Sequence, residues 1–396
     1  MSHHSSHRSH RTARGRRAAM TSIVTAGVAA LTAFGFSPAA SAASPTAHRP
    51  AVFVHTNDPT SNGVIVYERA SNGLLTEVKR YATGGKGGSE AGAVADPLAS
   101  QGSLTYDAGH SLLFAVNAGS DTVTVFAVHG TRLQRIQTIA SGGVLPTSIS
   151  VVRSLVYVLN ASGDGGISGF RIGSDSRLHP IAHSTRSLHL GNPANPNFLK
   201  SPSQVAITPD ADAVVVATKT NGVLDVFKLK DSGAPEETPV TTTSVGPVPF
   251  ALNFDAADRL LVAEANGAET SYQVQNSGGL LAISHVPNGQ AATCWSVLAK
   301  GYVYASNSGS NTITGYAEDA AGGLSLLDPS AVTATTDAAP VDVAASRDGN
   351  YLYQEATRAG AIDEFKVNDD GSLTRIGTVT GLPIDNGSGI EGIAAS

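Results

Sequence analysis

Between Tyr302 and Leu327 the chain reads YVYASNSGSNTITGYAEDAAGGLSLL, with apolar positions set among small and polar ones. Tyr302 and Tyr304 stand two apart, the spacing of one face of a half-buried strand. The cluster Asn307-Ser308-Gly309-Ser310-Asn311 predicts a tight turn, because glycine tolerates positive φ and Asn and Ser hydrogen-bond to their own backbone. Thr312 to Tyr316 is a second β-rich run that closes on an aromatic. Gly322 to Leu324 predicts a further turn into a short apolar third strand.

The same pattern is written seven times. Its other copies begin at Val52, Leu112, Leu155, Ala213, Arg259 and Tyr351, and the aromatic closing the middle strand falls at Tyr67, Phe126, Phe170, Phe227, Tyr272, Tyr316 and Phe365. Intervals of 44 to 59 residues, all strand and turn, predict an all-β, seven-bladed β-propeller with one four-stranded sheet per blade. Each blade needs an innermost strand before the quoted copy. Pro146-Thr147-Ser148-Ile149, Pro202-Ser203-Gln204-Val205, Pro247-Val248-Pro249-Phe250, Thr293-Cys294-Trp295-Ser296 and Pro340-Val341-Asp342-Val343 fill that role. The first copy lacks one. The last residues, Ile390 to Ser396, match Pro340 to Ser346, so the C-terminal strand is expected to pair with the first blade and close the ring without a free edge.

Residues 1–42 read as a signal peptide. Arg8, Arg11, Arg14, Arg16 and Arg17 make a basic start, Ser22 to Phe36 a short apolar core, and Ala40-Ser41-Ala42 a small-residue cleavage site. The expected location is therefore secreted, extracellular. Residues 43–50 read as a flexible leader and 51–396 as the propeller. Removing those five arginines and no acids takes the net charge from −6 to −11, which argues against nucleic acid and anionic membranes as partners. A single cysteine, Cys294, excludes an internal disulfide. Stability then rests on the sheet cores and on ring closure.

Two intervals are longer than the rest. Gly84 to Gln101 is rich in Gly and Ala, and His183 to Lys200 contains Asn192-Pro193-Ala194-Asn195-Pro196-Asn197. Connections into an inner strand pass near the central channel, so both insertions are expected on the channel-mouth face, where long loops often carry function.

The repeated pattern, Y-V/L-x-N-x-G-S-x-T-V/I-x-V/G-F/Y followed by a Gly-Leu turn, resembles the seven-bladed lactonase propellers. That family includes the propeller-type bacterial 6-phosphogluconolactonase and the carboxymuconate lactonizing enzyme. The resemblance runs from about residue 51 to the end. It implies a site built from a His after a proline on one inner strand, an Arg after Gly-Pro on the next, a Glu after that blade's second strand, and an Arg one blade on. Lactone opening needs a proton donor or acceptor and cations that hold an anionic group or a developing oxyanion. In this chain the His position is Ser203, the two Arg positions are Val248 and Ser308, and only the Glu is kept, as Glu264.

Glu264 is therefore the candidate catalytic residue, set against a solvated turn carboxylate. Ser203 and Gln204 are candidates for hydrogen bonding a substrate, set against capping the strand. Cys294 and Trp295 are the other candidates for substrate binding: Trp295, the only tryptophan, could stack on a ring or fill the core between blades, and Cys294 reads as a small buried residue rather than a reactive thiol. His183 and His189 match no standard zinc spacing. No metal and no cofactor is called for, and a monomer is expected. Two functions stay open: hydrolysis of a neutral lactone or cyclic ester at a diverged channel-mouth site, or non-catalytic binding of a saccharide, peptide or protein partner. Neutral polar residues at the channel entrance suit a small neutral molecule in either.

Overall fold

The computed structural model describes residues 49–384 and 389–396. Residues 1–42, expected as a signal peptide, and residues 43–48 of the expected leader lie outside the described residues. The propeller forms one compact unit, Ala47–Ser396.

Seven antiparallel sheets stand in a ring. The innermost strands of blades two to seven are Leu104–Asp107, Pro146–Val152, Pro202–Ile207, Pro249–Phe254, Thr293–Ala299 and Pro340–Ala345. Blade one takes its own from the far end of the chain, where Ile393–Ala395 pairs with Ala51–His55 in the register Val52↔Ala395, Phe53↔Ala394, Val54↔Ile393. His55 N donates to Gly392 O (2.9 Å) and Glu391 N to His55 O (2.9 Å), extending the closure beyond the strand. These seven strands touch one another in sequence round a complete circuit, and the closing strand contacts both blade seven and blade two. Ring closure is as the terminal match predicts.

The second and third strands of each blade are apolar and buried because each blade is covered by its neighbours. Val52, Val54, Ile65 and Tyr67 of blade one pack with Tyr353 and Ile362 of blade seven, and Tyr157 and Ile167 of blade three with Val214 and Phe227 of blade four. Each such aliphatic side chain contributes about 1.5–3 kcal/mol on burial. The third run of each copy departs from its apolar expectation. Leu75–Ala82 and Arg132–Ala140 are largely exposed outer-edge strands, and their Lys and Arg residues blunt an edge that would otherwise pair with another chain.

The channel-mouth ends of the inner strands share a construction. Leu145, Val248, Ala292 and Ala339, each at φ between 56° and 61°, precede the strands of blades three, five, six and seven. A bulge follows directly in each of those four strands, and also in blade four between Pro202 and Gln204. The extra residue lets two consecutive side chains face the same interior region.

Candidate functional site at the channel mouth

The two insertions meet. Ala91 and Asn197 form a parallel bridge, with Ala91 N donating to Pro196 O (2.9 Å) and Phe198 N to Ala91 O (3.1 Å). From there the first insertion is tied to four blades. Thr357 Oγ1 of blade seven donates to Ala95 O (2.6 Å), and Ser100 Oγ donates to Thr147 O of blade three (2.8 Å). Lys219 Nζ of blade four donates to Ala99 O (2.6 Å), and Trp295 Nε1 of blade six donates to Ser100 O (2.9 Å). Residues 95–101 therefore lie across the ring as a roof.

Under this roof is an apolar cavity of about 140 Å³. Phe198 and Leu199 come from the second insertion, Val248 and Phe250 from blade five, and Cys294 and Trp295 from blade six. Cys294 is the bulged residue between Thr293 and Trp295, which is why two sequential residues both reach the cavity. Trp295 packs edge-on against Phe250, with ring centroids 4.9 Å apart. Burial pushes the Cys294 thiol up to about 12, so it stays protonated. Val248 and Ser308, the positions at which the resemblance implies arginines, both line the cavity.

The cation here is one that the repeat pattern does not mark. Lys219, directly after the second strand of blade four, is 1% exposed and lines the cavity. Its ammonium lies 3.7 Å from Glu90 Oε2 and 5.5 Å from the centre of the Phe250 ring. Burial lowers its pKa, while Glu90 and then Asp96 act to raise it. Glu90, from the first insertion, is pushed up to about 8 by burial, partly offset by Lys219 and by Ser201, whose Oγ donates to Glu90 Oε2 (2.5 Å). Asp96 caps its own turn, accepting from Leu98 N and Ala99 N (both 2.8 Å) and Ser100 N (3.0 Å). An acid–base group that titrates near neutrality beside a buried cation is a chemically capable pair.

The residues singled out from the sequence have other occupations. Glu264 is fully buried and does not line the cavity. Its Oε1 accepts from Ser244 Oγ and Gly246 N, and its Oε2 from Thr270 Oγ1, each at 2.8 Å; His285 Nδ1 lies 3.2 Å away. Asn117 and Asn307 stand at the same strand end in blades two and six and bond the corresponding Thr124 and Thr314. Glu264 is thus this blade's version of a repeated latch, neither a solvated turn carboxylate nor a group open to the mouth. Gly246 sits so close above it that a Cβ would lie 2.1 Å from the carboxylate; Gly85 and Gly143 cover Asn117 and Asn160 in the same way.

Ser203 Oγ faces three carbonyl oxygens, of Phe250 (2.9 Å), Pro249 (3.2 Å) and Ala217 (3.3 Å). Gln204 accepts from Leu252 N (2.6 Å) and donates to Leu252 O (3.0 Å). Both straps join blade four to blade five. Only Cys294 and Trp295 of the sequence candidates line the cavity. His183 and His189 are exposed on the second insertion.

No sequence-family model matches the chain, and no curated protein matches it by sequence. Its likeness to solved structures is extensive. A Bacteroides fragilis protein assigned as a 6-phosphogluconolactonase superposes with a TM-score of 0.68 at 18% identity, over 89% of this chain and 99% of that one. A Bacteroides uniformis protein with the same assignment gives 0.69 at 16%, over 88% and 100%. The periplasmic gluconolactonase of Pseudomonas aeruginosa gives 0.67 at 18%, over 85% and 98%. The chain has the fold of the 6-phosphogluconolactonase-like seven-bladed propellers.

Proposed function

We propose that this is an exported lactonase-like propeller that opens a small neutral lactone or cyclic ester in the roofed cavity. The observation that supports it is Lys219, a buried cation bordering an apolar pocket in a propeller whose fold is shared by structures that carry lactonase assignments. The apolar walls suit the carbon ring, and the lone ammonium suits its carbonyl. As water adds to that carbonyl, charge develops on the oxygen, and Lys219 supplies the stabilising donor. Glu90 stands behind Lys219, outside the cavity lining, and holds the ammonium in place, while the proton lost by the water passes through solvent to the departing ring oxygen. The products are a hydroxyl and a carboxylic acid on one open chain. With Val248 and Ser308 in place of two arginines, a phosphorylated or polycarboxylate ring finds little to neutralise it.

A screen of neutral and acidic lactones with residues 43–396, following acid release, tests this reading. The expected result is turnover of a neutral ring that Lys219→Met abolishes and Trp295→Phe reduces. A folded protein without turnover, but with a melting temperature raised by an unconsumed ring compound, would instead support binding alone. The protonated state of Cys294, which leaves no thiolate nucleophile at the cavity, favours that second reading.

A further inference from the structure

Below the roof stands a group of carboxyl side chains, several of whose oxygens have no hydrogen-bond partner among the described residues. Asp96 of the first insertion, Asp342 of the blade-seven inner strand and Glu391 of the closing segment place one oxygen each within 4.8 Å of one another. All three are buried. Glu355, from the second strand of blade seven, stands across the Pro340–Val343 bulge from Asp342. It is wholly buried, and neither of its oxygens has a hydrogen-bond partner among the described residues; Asp342 Oδ2 and Glu391 Oε1 also have none. The nearby buried cation, Lys219, is already committed to Ala99 O and Glu90. Three carboxyl groups thus converge, with Glu355 on the strand beside Asp342, without a counter-charge of their own, and unpaired buried carboxylates are among the most costly groups a fold can hold.

We propose that these four carboxyl groups bind one calcium ion that fastens the channel roof to the ring closure. The donors are all hard oxygens with no nitrogen or sulfur among them, which selects against zinc and copper. Three of these ligand atoms lie within 4.8 Å of one another, close enough to share one ion, and a buried set made of carboxylates suits calcium better than magnesium, which usually keeps several of its waters. The ligands come from three parts of the chain that are far apart in sequence: the insertion at Asp96, blade seven at Asp342 and Glu355, and the closing segment at Glu391. Leu98 N, in the roof, already donates to Glu391 Oε2 at 3.2 Å, so roof and closing segment are in register before any ion enters. The ion joins them through charge, and it neutralises the field that Asp96 projects onto Lys219.

The test uses the full chain, stripped with a chelator and then titrated with calcium chloride at pH 7.5. One equivalent is expected to bind, with a rise in melting temperature that magnesium at the same concentration does not reproduce. Asp342→Asn and Glu355→Gln are expected to lower calcium affinity at least tenfold while remaining folded without metal, since each removes an unpaired buried charge. The converse result would overturn the site: no bound calcium, a melting temperature indifferent to calcium and chelator, and both variants more stable than the parent at alkaline pH. The four groups would then be proton-sharing carboxylic acids. Because these readouts are binding and melting, they do not depend on whether any lactone is hydrolysed.

Discussion

Glu264 carries a lesson about single residues. In the amino-acid string it is the one charged member kept from a four-residue pattern, yet its two oxygens are occupied by three donors from two neighbouring segments. Replacing it with Gln turns an acceptor into a donor facing other donors. Glu264→Gln should destabilise the fold by about 1–3 kcal/mol in denaturant unfolding. Turnover per folded molecule, where a substrate is found, should stay the same. Trp295 has a double role, since its indole N–H is the partner of Ser100 O while its ring walls the cavity. Val248 holds a β-branched side chain at φ 61°, a rare conformation that marks the cavity rim as locally strained.

At the scale of strands and loops, the repeat was readable because every blade solves the same packing problem with the same residues. An aromatic closes each third strand, and a proline opens four of the inner strands. The insertions were readable only as extra length. Glu90 and Asp96 have no counterpart in other blades, Lys219 stands at the repeat position that Ser308 holds in blade six, and Glu90 and Lys219 are brought together from distant parts of the chain by loops whose path no periodicity specifies. The matched pattern did locate the right region, since Val248 and Ser308 border the cavity, but the cation there comes from a position that pattern does not contain. The closing strand yields its own prediction. Removing residues 389–396 takes away Ile390 and Ile393, both buried, for about 3–6 kcal/mol of apolar burial before any lost hydrogen bonds. A large drop in melting temperature is expected, well beyond that from trimming a frayed end.

For the molecule as a whole, the buried acids outnumber the buried cations near the channel, and this sets the response to pH. Burial raises the pKa of Asp96, Asp342, Glu355 and Glu391, and that of Glu90 to about 8. Each holds a proton in the fold that the unfolded chain releases above the ordinary carboxylate range of about 4. Their contribution is therefore fully present at low pH and is lost as pH rises through the folded values. His55 acts in the opposite sense. Its pKa is depressed to about 4 by burial, so its contribution is complete above about 6.5 and is lost as pH falls through 4. In chelator, melting should be highest in mildly acidic buffer and fall steadily towards pH 9. Glu90→Gln, which removes the group facing Lys219 and Asp96, should flatten the part of that fall centred near pH 8.

The pairing of Val52 with Ala395 also orders events in time. Blades two to seven are each contiguous in sequence and can assemble as they emerge from the ribosome, but the first sheet must wait for residues 393–395. Until then one side chain layer of blade one and one of blade seven face water, and the ring is a horseshoe. A chain that stops before residue 393 is thereby distinguishable from one that includes the closing strand by an exposed apolar seam, the kind of surface that chaperones and proteases inspect.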